Sequence, residues 1–477
     1  MTVEERYGGR NIHVLGVAGT EGSSVIEFLM RRGITTITGH DLHAREAFAS
    51  EFDRTHQWLP PEERRAALAR LQGYSITVHT GERYLRGIEG ADVIFVPQSW
   101  FRHAANDPVR ALRDRGLRLS SMTHLFFETA PCPIIGVTGT NGKFTVAYLI
   151  HQMLARSGIR AFFSGNDRSH VPMLYYAHEL RPDDRLVLEI SNRQLVGLPY
   201  SPHIGVITNI APHHLDDHGT MDAYVEVKRT IIRHQHPADL AVLNADNPYT
   251  RGMAEGAYHP YLFSRNSRPR PGAYTEDGNA VIVRERVEQT IPLRALPVSG
   301  VRAIENALAA LLAASLAGAS APAMAEVLTE FRGLPYRCRV VGEVDGVRYV
   351  EDSLATNPTA AAAAVADMDR RFILIAGGAR PRASVEDFAP LRDILERSPV
   401  RAVLLIGATA GLLGQALGDL RVPVERSGTL EAAVARARAI ARSGETVLFS
   451  PACESFDQFR DYRERGDRFV ALVQVAH

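Results

Sequence analysis

Apolar positions along this chain follow two rhythms that alternate from end to end. Short, nearly unbroken apolar runs suit strands buried on both faces. The longer stretches between them, where apolar side chains return every three or four residues, suit helices laid over those strands, so the pattern predicts α/β units on parallel sheets. From Asn11 the run NIHVLGVAG, a Gly-Thr-Glu-Gly-Ser turn, the helical SVIEFLMRRG and the strand ITTITGHD ending at Asp41 make a βαβ opening. A second unit closes with ADVIFVPQS, 91–99, and a helix near 107–115, so residues 1–128 are predicted to be a small Rossmann-like domain.

The pattern restarts at PCPIIGVTG with the helix TVAYLIHQMLARSG and runs on through LVLEI (186–190), HIGVITNI (203–210) and LAVLNA (240–245). Segment 264–297 reads as short β-structure and turns, and 301–319 as a long Ala/Leu helix. Together, residues 129–333 are predicted to be a central P-loop ATPase-type α/β domain. After Gly333-Leu334-Pro335, the strands VRYVED, RFILIAGG, AVLLIGA and TVLFSPA alternate with Ala-rich helices, predicting a C-terminal Rossmann-like domain over 334–477. The Ala run 360–364 is read there as a tightly packed helix start.

Composition narrows the function classes. The chain has 477 residues, which predicts several domains, and its 45 % hydrophobic and 23 % charged residues are ordinary for a globular protein. Lys+Arg 54 balances Asp+Glu 54, which argues against nucleic acid or an anionic membrane as partner. Cys132, Cys338 and Cys453 are scattered without metal spacing, and the N-terminus lacks the apolar core of a signal peptide, so a reducing, cytoplasmic setting is expected; a monomer is expected as well. Only two of the 54 basic residues are lysines, Lys143 and Lys228. Where almost every cation is Arg, a retained Lys marks positions where a compact donor, or an amine able to lose its proton, matters.

Both lysines fall in suggestive places. The segment Gly136-Val-Thr-Gly139-Thr140-Asn141-Gly142-Lys143 leaves a predicted strand and enters a helix, the setting in which backbone N–H groups wrap a phosphate while Lys neutralises it. Phe144 stands where a Ser or Thr commonly follows the Lys, which leaves Thr145 as the next hydroxyl for a metal. Glu189 at the end of LVLEI and His214 in NIAPHHLD close predicted strands, where ligands of a nucleotide-bound metal face the crevice. Lys228 lies in the helical MDAYVEVKRTIIRH; a deprotonated amine there can capture CO₂ as a carbamate, which guanidinium cannot. The turn Gly19-Thr20-Glu21-Gly22-Ser23 is open to two readings, a phosphate site at a helix N-terminus or a merely structural tight turn.

The phosphate loop GVTGTNGK, with LEISNRQL, NIAPHHLD, the Lys228 helix, LNADNP, GLPYR, EDSLATNP and SPACESFDQFRDYRERGDRF, resembles the Mur ligases, ATP-dependent amide-forming enzymes of peptidoglycan assembly, over roughly 16–469. Within that family the match is closest to the type that adds D-glutamate to UDP-N-acetylmuramoyl-L-alanine. The resemblance implies a role in cell-wall synthesis, and hence in cell shape and division, with ATP and Mg²⁺ (or Mn²⁺) as cofactors. It implies that Gly19, Thr20, Gly22 and Ser23 lie near the substrate diphosphate, Asp41 near the uridine and Asn166 near the muramoyl group. Gly139, Thr140, Asn141, Gly142, Lys143 and Thr145 would hold ATP phosphates, with Asn306 at the adenine, Asp352 at the ribose and Arg337 at the phosphates. Glu189, His214, Thr145 and Lys228 as a carbamate would serve the metal, with Lys143, His214 and Lys228 catalytic. Thr356, Ser455, Phe456 and Tyr462 match positions around the incoming amino acid.

The implied chemistry is activation of a substrate carboxylate by the γ-phosphate to an acyl phosphate, attack by the amine, and collapse to amide and phosphate. Domain closure would exclude water, with hinges expected near 129 and 333. Several positions depart from the family: Leu354 where it has Lys, Arg302-Ala303 where it has His-Asn, and Arg380 or Arg382 in place of a Lys contacting the amino acid. They keep two other readings open, a Mur-like ligase using L-glutamate or another amino acid or acceptor, and a non-catalytic nucleotide-binding scaffold.

Overall fold

The computed structural model describes residues 2–56, 59–165, 173–212, 215–285, 287–293, 301–368, 370–381 and 383–474. Asn166, His214 and Arg382 lie outside the described residues. Among the described residues the strands form three sheets, of five, nine and six strands. The chain divides into two compact units, one of 1–292 with 305–327, the other of 293–304 with 328–477. No described helix is long and apolar enough to cross a membrane.

The first unit carries two sheets. In the smaller one, Ile12–Leu15 lies at the centre between Ile37–Asp41 and Val93–Phe95, and all strands run parallel. Parallel pairing places every strand C-terminus on one edge, and the turn after Ile12–Leu15 feeds the helix Thr20–Arg31 from that edge. In the larger sheet, Ile134–Thr138 is flanked by Arg185–Glu189 and Ile204–Ile207. Its five residues are all buried, as expected for a parallel strand covered on both faces. Segment 264–297 supplies antiparallel strands at the edge, Gly272–Glu276, Asn279–Arg284 and Val287–Pro292.

The second unit pairs Arg339–Val344 antiparallel with Val347–Glu351 at one edge of an otherwise parallel sheet. The Ala-rich stretch forms the helix Pro358–Ala366. Asn357 caps it by accepting from the Ala360 N–H, and Pro358 occupies its first turn, where a missing N–H costs nothing.

Candidate active site

The phosphate loop joins the strand Ile134–Thr138 to the helix Lys143–Arg156. Its shape is set by a neighbouring strand end: the Thr140 N–H donates to the Asn209 carbonyl at 2.8 Å and the Asn141 N–H to Asn209 Oδ1 at 3.0 Å, while Thr208 Oγ1 donates to the Asn141 carbonyl at 2.5 Å. Gly139 and Gly142 sit at φ +147° and +81°, conformations that side chains rarely adopt. A Cβ at Gly139 would also strike the Thr208 hydroxyl, and one at Gly142 the Asn306 side chain. Asn306 is therefore seated against the loop. Lys143 opens the helix and donates to the Thr140 carbonyl at 2.9 Å. Phe144 is buried and packs edge-on against Phe163 with ring centroids 5.3 Å apart, so this departure fills core.

Lys228, on the helix Met221–Arg233, is fully buried beneath the same loop. Its Nζ donates to Thr138 Oγ1 at 3.0 Å and to the Gly139 carbonyl at 2.9 Å. Burial, followed by the charge of Lys143, holds its amine well below the usual lysine range, against the opposing pull of Glu189. Glu189 is buried at the end of its strand. Thus both lysines meet at one phosphate loop although they are remote in sequence. Among the described residues no three His, Cys, Asp or Glu side chains converge as a ready-made metal site. The groups that do gather here, the buried Glu189 carboxylate and an amine held well below the usual lysine range, fit a hard divalent cation only once the amine becomes an oxygen donor.

At the N-terminus of Thr20–Arg31 the first unit holds a cavity of about 460 Å³. Gly19, Thr20, Gly22 and Asp41 line it, and Ser164 and Gly165 from the phosphate-loop sheet close its other side. Asp41 is fixed by the Ala18 N–H at 2.7 Å and the His43 N–H at 3.0 Å. The hydroxyls of Thr20 and Ser23 are engaged within the protein, with the Thr55 carbonyl at 2.8 Å and His56 Nε2 at 2.9 Å. What the turn offers an anion is its first-turn N–H groups, which have no partner inside the helix. Arg54 and Thr55, absent from the sequence-based expectation, also line the cavity. They come from the helix Phe48–Thr55, whose contribution to this wall only folding reveals.

In the second unit Asp352 follows the strand Val347–Glu351 and accepts from Ser450 Oγ at 2.7 Å and the Cys338 N–H at 3.2 Å. Burial raises its carboxyl to about 7. Arg337 pairs with Leu334 in an isolated bridge just upstream. The loops bearing Thr356 and Ser455 are drawn together by Arg465, which is fully buried and donates to the carbonyls of Ser353, Cys453 and Glu454 at 2.9–3.0 Å. Ser455 is buried, Phe456 is 68 % exposed, and Tyr462 meets Tyr336 edge-on at 5.6 Å. Arg302 is taken up by Asp367, Nε to Oδ1 2.9 Å, and by the Ala363 carbonyl at 2.6 Å.

Residues 137–314 match the Mur ligase middle domain and residues 336–453 the Mur ligase glutamate ligase domain. The UDP-N-acetylmuramoylalanine--D-glutamate ligase of Symbiobacterium thermophilum is 36% identical over 97% of this chain and 97% of its own length. The chain belongs to the Mur ligase family. A protein of the same name from Acetivibrio thermocellus is 32% identical over 98% of this Mur ligase and 97% of its own length. Among solved structures, a pseudomurein peptide ligase type C from Methanothermus fervidus aligns with TM-score 0.55 and 20% identity over 98% of this chain and 100% of that one. The MurF ligase of Thermotoga maritima in complex with ADP aligns with TM-score 0.54 and 16% identity over 87% and 93%. These two alignments establish the shared fold.

Proposed function

We propose that this Mur ligase joins D-glutamate to UDP-N-acetylmuramoyl-L-alanine at the expense of ATP, in the cytoplasmic synthesis of peptidoglycan precursors, acting as a monomer. The observation that carries the proposal is the cavity shared by the Gly19 turn and the Ser164–Gly165 side of the phosphate-loop sheet. It leads from an anion-binding helix N-terminus toward the sheet that carries the phosphate loop, as a nucleotide-sugar whose far carboxylate must reach ATP requires. The D-glutamate-ligase relatives, matched over nearly their whole length, support the choice of substrates.

In this reading Gly139 to Lys143 hold the ATP phosphates, Asn306 the adenine, and Asp352 and Arg337 the ribose and phosphates. Thr356, Ser455, Phe456 and Tyr462 receive the amino acid, and Asn166 meets the muramoyl group. Glu189, His214, Thr145 and a carbamate on Lys228 would hold Mg²⁺ (or Mn²⁺), which neutralises charge on the phosphates. The buried, neutral-leaning amine of Lys228 supports the carbamate, because CO₂ adds to the free amine. In this reading the domains 1–128, 129–333 and 334–477 chiefly serve the nucleotide-sugar, ATP and the amino acid in turn, with Asn166 of the second reaching the nucleotide-sugar and Asp352 and Arg337 of the third reaching ATP.

The test is ATP-dependent phosphate release by the purified protein with UDP-N-acetylmuramoyl-L-alanine, with D-glutamate and L-glutamate in separate reactions. Turnover with D-glutamate supports the proposal. Turnover only with L-glutamate moves the explanation to Leu354 and Arg380, and none with either amino acid overturns it.

A further inference from the structure

Glu21 and Gln98 form a link that no sequence motif foretells. Glu21 lies in the first turn of the helix Thr20–Arg31, where its backbone faces the expected diphosphate, but its side chain turns inward and accepts from the Gln98 N–H at 2.7 Å. Gln98 follows the strand Val93–Phe95 in the same sheet, and its Oε1 accepts from Ser191 Oγ at 2.9 Å. Ser191 belongs to the other sheet. It caps the short helix Asn192–Leu195, its N–H donating to Gln194 Oε1 at 2.8 Å, and stands just past Glu189. Glu21 and Gln98 both line the nucleotide-sugar cavity, while Ser191 is 7 % exposed and Glu189 8 %.

We infer that Gln98 is a positioning residue for ligation: through one side-chain oxygen it sets the register between the diphosphate turn and the strand end that carries Glu189. This rests on the function proposed above. The reacting carboxylate is held from one sheet and the phosphate from the other, so their approach depends on how firmly the two sheets are aligned. A misplacement of about 1 Å between reacting groups costs on the order of 100-fold in rate. Burial of Ser191 strengthens the bond, since water competes poorly for its hydroxyl. Glu21 adds a second fixed point on the other side of Gln98 by holding its backbone.

The test compares Gln98→Met, which keeps length and volume but has no acceptor oxygen, with Gln98→Glu, which keeps one. For the Met variant we expect kcat to fall about tenfold or more, with KM for the nucleotide-sugar within about twofold and an unchanged Tm; Gln98→Glu should regain most of kcat. Equal kcat values for wild type and Gln98→Met, or equal losses in both variants, would overturn the inference. A second readout is independent of turnover. Hydrogen exchange at 188–195 should slow in wild type on adding UDP, and this slowing should disappear in Gln98→Met. If wild type turns nothing over yet transmits the protection through Gln98, the proposed function fails and the link stands. If wild type is active but shows no UDP-dependent protection at 188–195, the link fails and the function stands.

Discussion

Lys228 donates to the Thr138 hydroxyl at 3.0 Å from beneath the phosphate loop, buried to 1 % exposure. A charged ammonium there would be costly, which is why burial drives the amine toward its neutral form. An amine retained at such cost points to chemistry rather than stability. Replacing Lys228 with Met should lower turnover by roughly 100-fold or more while moving the Tm by only a few degrees, because a side chain of similar volume removes the desolvation penalty along with two hydrogen bonds. Steady-state phosphate release and calorimetry on the same preparation check this; parallel losses of activity and Tm would make Lys228 a structural residue.

Gly142 and Asn306 give a second prediction. Gly142→Ala adds a Cβ into the Asn306 side chain at a backbone φ of +81°. The expected cost is about 1–3 kcal/mol in stability, with ADP affinity reduced about tenfold as both loop and Asn306 shift. Titration with a fluorescent ADP analogue reads the affinity. Unchanged binding would mean that Asn306 does not take part in the nucleotide site.

Acid should weaken the first unit through its buried histidines. His40, His56 and His124 are all lowered from 6.5 to about 4, in each case chiefly by burial. The folded state thus resists protonation that the unfolded chain accepts. Their contribution is present above about pH 6.5 and is lost as pH falls through about 4, up to roughly 3 kcal/mol per group. Tm should therefore drop steeply between pH 6 and 4, and His56→Gln, which keeps a donor and an acceptor near Ser23, should flatten that drop. A Tm that is level over this range refutes the argument.

Glu128 sits at the sequence boundary where a hinge was expected. Its side chain, 2 % exposed, accepts from Arg6 at 3.0 Å, Arg118 at 2.9 Å, Tyr7 at 2.6 Å and Tyr200 at 2.9 Å. Of these bonds only the one from Tyr200, in the loop after the helix Asn192–Leu195, crosses residue 129, and motion about that residue would have to break it. Glu128→Ala should cost about 2–3 kcal/mol, less than a fully buried pair because both arginines are partly exposed. Denaturant unfolding measures it; a loss below about 0.5 kcal/mol would mean that solvent replaces the clamp freely.

Much of the architecture was legible because its determinants are local. Buried apolar runs such as Ile134–Thr138 read as parallel strands, and Gly139 and Gly142 marked the loop by backbone conformations other residues resist. Phe144 was ambiguous in sequence, since a missing hydroxyl and a core aromatic look alike until Phe163 is seen beside it. Arg54, Thr208 and Gln98 carried no signal. Each is an ordinary residue whose importance lies in which distant group it meets.

The chain's own order of residues therefore determined the α/β alternation, the phosphate loop and the singling out of Lys143 and Lys228, because strand periodicity, glycine conformation and amine chemistry are properties of short segments. Tertiary structure alone decided that the two lysines share one loop, that Thr20 and Ser23 engage their hydroxyls with Thr55 and His56 at the end of the helix Phe48–Thr55, and that Glu128 gathers Arg6, Tyr7, Arg118 and Tyr200. The physical reason is that burial, hydrogen-bond partnership and the shift of a charge's equilibrium depend on neighbours brought together by packing, and sequence spacing carries no record of them.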